Sequence, residues 1–183
     1  MSLDILISQA MPNIWNPVLN WIMKFITNIA SPLIISILVF LLLWLLIYKK
    51  KYRQAILTFV AVIGGYLLEI GLKYLVHITR PINSLISEAE FSFPSGHATL
   101  AAIYFLLLIY LFKDEIADKT KKYILICVDI FLILLIGFSR IYLNVHWFTD
   151  VIAGFVLGVL WLGICILIFK KRKKKQKLPK FNF

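Results

Sequence analysis

Five runs of apolar residues, roughly 31–48, 54–76, 97–112, 122–138 and 149–169, leave this chain little choice of fold. About 20 consecutive apolar residues are what a helix needs to cross the hydrocarbon of a bilayer. Inside that hydrocarbon every backbone N–H and C=O must be paired within the chain, which admits only helices and closed barrels. None of the runs alternates in the manner of a strand. The sequence therefore predicts an all-α, polytopic transmembrane helix bundle of about five spans. At 61% hydrophobic over 183 residues, the chain is too apolar for an ordinary soluble domain. It has the length of one domain, taken as a single integral-membrane unit over 1–183.

The first 30 residues differ from the rest. Ile14, Trp15, Val18, Leu19, Ile22, Phe25, Ile26 and Ile29 recur at helical spacing, and Asn13, Asn16, Asn20, Lys24 and Asn28 fall mostly off that stripe. The pattern predicts an amphipathic helix lying in the membrane interface. A poorly hydrophobic sixth span is the alternative. The segment lacks the basic start and small-residue cleavage site of a signal peptide. Cys127 and Cys165 both lie in apolar runs and suggest neither a disulfide framework nor a metal knuckle.

The net charge of +11 is concentrated at three places. Lys49, Lys50, Lys51 and Arg53 occupy the first connection, and Lys113, Lys119, Lys121 and Lys122 the third. Eight more basic residues lie between Lys170 and Lys180, in a tail over 170–183. Five spans put all three clusters on one side, which the positive-inside rule makes cytoplasmic. The charge thus reads as topology and as attraction to anionic headgroups. It implies the lipid bilayer as a partner, no nucleic acid, and no obligatory protein partner.

Three polar blocks interrupt the apolar pattern, all at the opposite, non-cytoplasmic side. Lys73 and Arg80 are seven residues apart, two helical turns, so one helix face would carry both toward one anion before Pro81 ends the helix. A charge within a span is costly, which makes Lys73 a functional candidate. In Pro94-Ser95-Gly96-His97, Gly96 permits close backbone approach and the following helix start offers N–H groups to phosphate oxygens. Ser95 adds a donor, and His97 is placed to protonate a leaving oxygen. After Ser139-Arg140 come His146 and Asp150, four residues apart and neighbours on one helix face. A carboxylate there can take one ring N–H and leave the other nitrogen free to attack. Arg140 brings a planar fork suited to phosphate. Each block alone has a structural explanation: snorkelling cations, a capped helix start, a buried polar pair.

Taken in order, Lys-x6-Arg-Pro, Pro-Ser-Gly-His and Ser-Arg-x5-His-x3-Asp resemble the signature of the type 2 phosphatidic acid phosphatase superfamily, over roughly residues 54–169. The resemblance implies a membrane lipid phosphatase, with His146 as a nucleophile that becomes phosphohistidine. It implies Asp150 as the residue that orients His146, and His97 as general acid and then base. Lys73, Arg80, Ser95, Gly96 and Arg140 are implied as the phosphate-binding residues. No cofactor and no metal is implied. The substrate class is a membrane lipid phosphate: phosphatidylglycerophosphate, undecaprenyl diphosphate, phosphatidic acid or lipid A 1-phosphate. A lipid-to-lipid phosphotransferase is the alternative. Many members have six spans, and the amphipathic N-terminus stands where the first would be. The same compactness suggests a bacterial inner membrane, with the site facing the periplasm or the outside.

Other polar residues receive structural readings. His77 is assigned an interfacial role, and Glu69 and Asp129 are expected to pair inside the bundle. Glu88 and Glu90 are expected on a solvated outer loop, with a part in headgroup specificity as the alternative. Trp15, Trp21 and Trp147 are expected in an outer aromatic belt.

Overall fold

The computed structural model describes residues 2–176, with side chains through residue 171. Of the predicted basic tail, residues 177–183 lie outside the described residues. Seven α-helices make up the fold, and no strand occurs among the described residues. They are α1 (Leu3–Ala10), α2 (Pro17–Ile29), α3 (Pro32–Tyr48), α4 (Tyr52–Val76), α5 (Gly96–Phe112), α6 (Lys119–Tyr142) and α7 (Phe148–Gln176), with a 3₁₀ turn at Met11–Ile14. Three of them, α4, α6 and α7, are long and apolar enough to cross a membrane. The pair α2 and α3 meets the same test together but bends by 43° at their junction. Helix α5 is apolar and shorter, at 17 residues.

Local sequence sets these boundaries. Asn16, Ser31 and Asp118 each accept a hydrogen bond from a backbone N–H in the first turn of the helix they precede. Pro17 and Pro32 follow as first helical residues, where a missing N–H costs nothing. The first thirty residues are not one helix: Pro12 and Pro17 divide the predicted amphipathic stretch. Its second half, α2, buries Met23, Ile26 and Thr27 against α6 and leaves Val18, Trp21 and Phe25 exposed.

Helix α5 lies at the centre and packs against α4, α6 and α7. Its small residues Ala98, Ala101 and Ala102 are fully buried. The outward faces of α3, α4 and α6 carry exposed Phe40, Trp44, Phe59, Leu67, Phe131 and Leu134. A water-facing surface of that kind would be unstable, whereas lipid accepts it, so the chain is an integral membrane protein. At one end of the bundle Lys50, Lys51, Arg53, Lys113 and Lys170 border a shared cleft. The polar blocks gather at the other end.

Candidate functional site

Helix α4 stops at Val76, because His77 takes a left-handed conformation (φ 56°) and caps it. Arg80 is therefore not on the same helix face as Lys73, as the spacing predicts, but in the loop beyond. The two still converge. Lys73 Nζ donates to Phe91 O at 2.8 Å, and Arg80 Nη2 donates to the same oxygen at 3.3 Å. Arg80 Nε also donates to Glu90 O at 2.7 Å, and Nη1 to Val145 O at 2.7 Å. The loop between α4 and α5 is thus folded back over the helix ends by its own carbonyls. Burial lowers the pKa of Arg80, and Glu88 and Glu90 counteract this by favouring its charge.

The α6–α7 corner supplies the second half of the site. Asn144, at φ 56°, turns the chain and its side chain donates to Asn83 O at 2.6 Å. His146 lies in this corner, two residues before α7 begins at Phe148, and so is not on a common helix face with Asp150. Their closest approach is 3.6 Å, from Nδ1 to Asp150 Oδ2. Ser92 bridges them: its hydroxyl donates to Asp150 Oδ2 and lies 3.4 Å from His146 Nδ1. The same Oδ2 accepts from Trp147 N at 2.9 Å. Ser92 is fully buried and tied by its own N–H to Ile78 O at 2.8 Å. On the other side of the ring, Nε2 is 3.1 Å from Arg80 Nη1. Burial, and then the charges of Arg140, Arg80 and Lys73, push the His146 pKa well below its ordinary value of 6.5. The ring is therefore neutral at neutral pH.

Ser95 caps α5 from a buried position, and its N–H donates to Asp150 O at 3.1 Å. A Cβ on Gly96 would stand 2.8 Å from Glu69 Oε1, so only glycine admits that carboxylate. Glu69 lies 3.2 Å from Lys73 Nζ, the partner expected within the bundle. Arg140, 1% exposed, donates from Nη1 to Thr27 Oγ1 of α2 at 2.8 Å and from Nη2 to Glu88.

Lys73, Arg80, Gly96, His97, Arg140 and His146 all line one pocket of about 420 Å³. Its walls also contain Thr27, Glu69 and Glu88. Ser95 is not among the residues lining this pocket, but it adjoins Gly96 in sequence. Its buried Oγ, like Arg140 Nε, is a donor with no hydrogen-bond partner among the described residues. Donors of that kind are ready to receive ligand oxygens. Three cations around a neutral imidazole can hold a tetrahedral oxyanion against a nucleophilic nitrogen.

The structure corrects two further expectations, for Glu88 and Asp129, and adds contacts the sequence did not predict. Glu88 is not a solvated loop residue: it pairs with Arg140 and Arg80. Asp129 is buried in α6 with no hydrogen-bond partner for Oδ2, so it does not pair as expected. Trp15 and Trp147 do more than face lipid, donating to Tyr142 O at 2.9 Å and Thr79 O at 2.7 Å. Finally, α1 is tied to the site end, where Asp4 accepts from the N–H and hydroxyl of Thr149 at 3.0 and 2.7 Å.

Known proteins give this geometry a context. The family model for the PAP2 superfamily matches residues 54–174. The chain is 30% identical to phosphatidylglycerophosphatase B of Bacillus subtilis, over 99% of this chain and 87% of that protein. It is 27% identical to an undecaprenyl-diphosphatase of Sulfolobus acidocaldarius, over 61% of this chain and 53% of that protein. Among solved structures, a transmembrane PAP2-type phosphatidylglycerolphosphate phosphatase from Bacillus subtilis superposes with a TM-score of 0.83 at 29% identity, covering 98% of this chain and 87% of that one. Aquifex aeolicus LpxE shares the fold at a TM-score of 0.72 and 23% identity, over 91% of this chain and 96% of that one. The chain therefore belongs to the PAP2 superfamily, as a phosphatase of its bacterial integral-membrane branch.

Proposed function

We propose that this protein hydrolyses a phosphate monoester or terminal diphosphate of a membrane lipid through a phosphohistidine on His146. The observation that carries the reading is the arrangement around the His146 ring. Nδ1 is backed by Ser92 and Asp150, while Nε2 faces a pocket walled by Lys73, Arg80, Arg140 and His97. The Nε2 lone pair attacks phosphorus as the bond to the lipid oxygen breaks. His97, held neutral by burial and by Arg140, takes up a proton as the dianionic phosphoryl group enters and gives it to that leaving oxygen. A water then attacks phosphorus and gives a proton to His97, the P–N bond breaks with its electrons returning to His146 Nε2, and phosphate leaves. Asp150, through Ser92, takes up the positive charge that the ring gains. Lys73, Arg80, Arg140, Ser95 Oγ and the Gly96 N–H hold the non-bridging oxygens, whose charge grows in the transition state. Arg80, now beside Nε2, turns its fork onto the phosphoryl group. Cationic side chains supply the charge that metal ions supply in other phosphatases.

Phosphatidylglycerophosphate is the first substrate to test, since the relative aligned over nearly the whole chain is named for it. Undecaprenyl diphosphate is the second, on the shorter alignment. The site is assigned to the non-cytoplasmic face of an inner membrane, and residues 1–183 to a single catalytic domain. The test is phosphate release by purified wild type and His146→Ala, with a chelator present. The lipids are phosphatidylglycerophosphate, undecaprenyl diphosphate, phosphatidic acid and lipid A 1-phosphate. Release by the wild type alone is expected. Equal release by His146→Ala would remove the nucleophile, and release that needs added metal would contradict the cation-only mechanism.

A further inference from the structure

The loop between α4 and α5 carries a carboxylate into the cationic pocket. Glu88 Oε1 accepts from Arg140 Nη2, and Oε2 lies 3.7 Å from Arg80 Nη2. Glu88 lines the same pocket as His97 and His146. Two guanidinium groups closing on two carboxylate oxygens is the geometry that phosphate oxygens would take. The side chain is 27% exposed and springs from a stretch without helix. It can swing into solvent without unpacking the bundle.

We propose that Glu88 is a displaceable internal anion that sets the affinity threshold of the phosphoryl pocket. It admits doubly charged phosphate monoesters or terminal diphosphates and shuts out the singly charged phosphodiesters of ordinary membrane lipids. The inference rests on the phosphoryl reading of the pocket. Any entering anion must first release Arg140 and Arg80 from Glu88, so the apparent dissociation constant of every ligand rises by the same factor. A dianion recovers more Coulomb energy from Lys73, Arg80 and Arg140 and still binds. A monoanionic diester does not. In a bilayer built of diesters, three open cations would otherwise be occupied by the solvent itself.

Glu88→Gln keeps the shape and can still accept from Arg140, and Glu88→Ala removes the group altogether. Both variants and the wild type are titrated in detergent with inorganic phosphate and with dimethyl phosphate, binding being followed calorimetrically and folding by thermal unfolding. Both variants are expected to bind inorganic phosphate about tenfold more tightly than the wild type. Dimethyl phosphate binding, too weak to detect in the wild type, is expected to become measurable in them. Unchanged or weakened phosphate binding in folded variants would overturn the role of Glu88 and leave the phosphoryl pocket standing. Absence of phosphate binding in all three proteins would overturn both.

Discussion

His146 shows how a residue's surroundings decide its chemistry. An exposed histidine is half protonated near its ordinary pKa of 6.5 and then has no lone pair to offer. Here burial and three nearby cations hold it neutral well below that value. The unfolded chain binds a proton near pH 6.5 that the folded chain refuses, so this group makes stability decline as pH falls below about 6.5. In the proposed mechanism His146 therefore keeps its attacking lone pair across the same window. The single-turnover rate of His146 phosphorylation, at constant concentration of dianionic substrate, is therefore expected not to fall from about pH 7.5 to about pH 6. A midpoint near 6.5 that follows His146 would contradict this. Ser92 is the hinge of the same arrangement. Ser92→Ala leaves Asp150 Oδ2 with only the Trp147 N–H, and should cost about 1–3 kcal/mol in stability and roughly tenfold in kcat. Thermal unfolding and steady-state kinetics check both, and an unaltered kcat would make Ser92 a packing residue only. The motif positions were legible in the sequence because each block carries its own spacing. Ser92 and Thr27 were not legible, and Glu88 was visible as a loop residue but not as a partner of Arg140. They reach the site only when the α4–α5 loop and α2 fold onto it, and no local pattern marks such contacts.

Among the elements, α5 and α7 hold the two halves of the site together. A Cβ on Gly154 would lie 2.7 Å from Ser95 O, and one on Gly158 would lie 2.8 Å from Thr99 O. Two glycines one turn apart thus let the helices approach until Ser95 meets Asp150. Gly158→Val is expected to force them apart, destabilise the protein by about 1–3 kcal/mol and lower activity more than the stability loss explains. Gly163, on the same helix with nothing within 4 Å of its Cβ position, is the control. Gly163→Ala should be neutral or stabilising by up to about 1 kcal/mol. Equal effects at the two positions would contradict the account. Helix existence was legible from apolar runs, and the ends fell within a few residues for α3, α4 and α5. Helix α6 proved longer, Lys119–Tyr142 against 122–138, because its last turn carries the polar Ser139 and Arg140 that the apolar criterion rejects. The division of the N-terminus lay in view at Pro12 and Pro17, but the hydrophobic stripe runs across both.

At the scale of the whole molecule, charge and chemistry sit at opposite ends. The cleft bordered by Lys50, Lys51, Arg53, Lys113 and Lys170 lies away from the pocket that holds His97 and His146. On the positive-inside rule we propose that the basic end faces the cytoplasm. In intact cells a cysteine at Ser84, on the loop over the pocket, is expected to react with an impermeant maleimide. One at Asp114 is expected to react only after permeabilisation. The reverse pattern would invert the topology and put the pocket in the cytoplasm. The all-helical bundle followed from the bilayer's demand for internal pairing. The folding of α1 and α2 onto the site end did not, because it depends on single contacts such as Asp4 to Thr149 and Trp15 to Tyr142. In the proposed mechanism phosphate passes through His146. Brief incubation with lipid substrate labelled in the departing phosphate, followed by alkaline quenching, tests it most directly. A labelled protein adduct that survives alkali, is lost in acid, maps to His146 and is absent from His146→Ala is the predicted result. Turnover by the wild type with no such adduct, or an adduct that persists in His146→Ala, would contradict it.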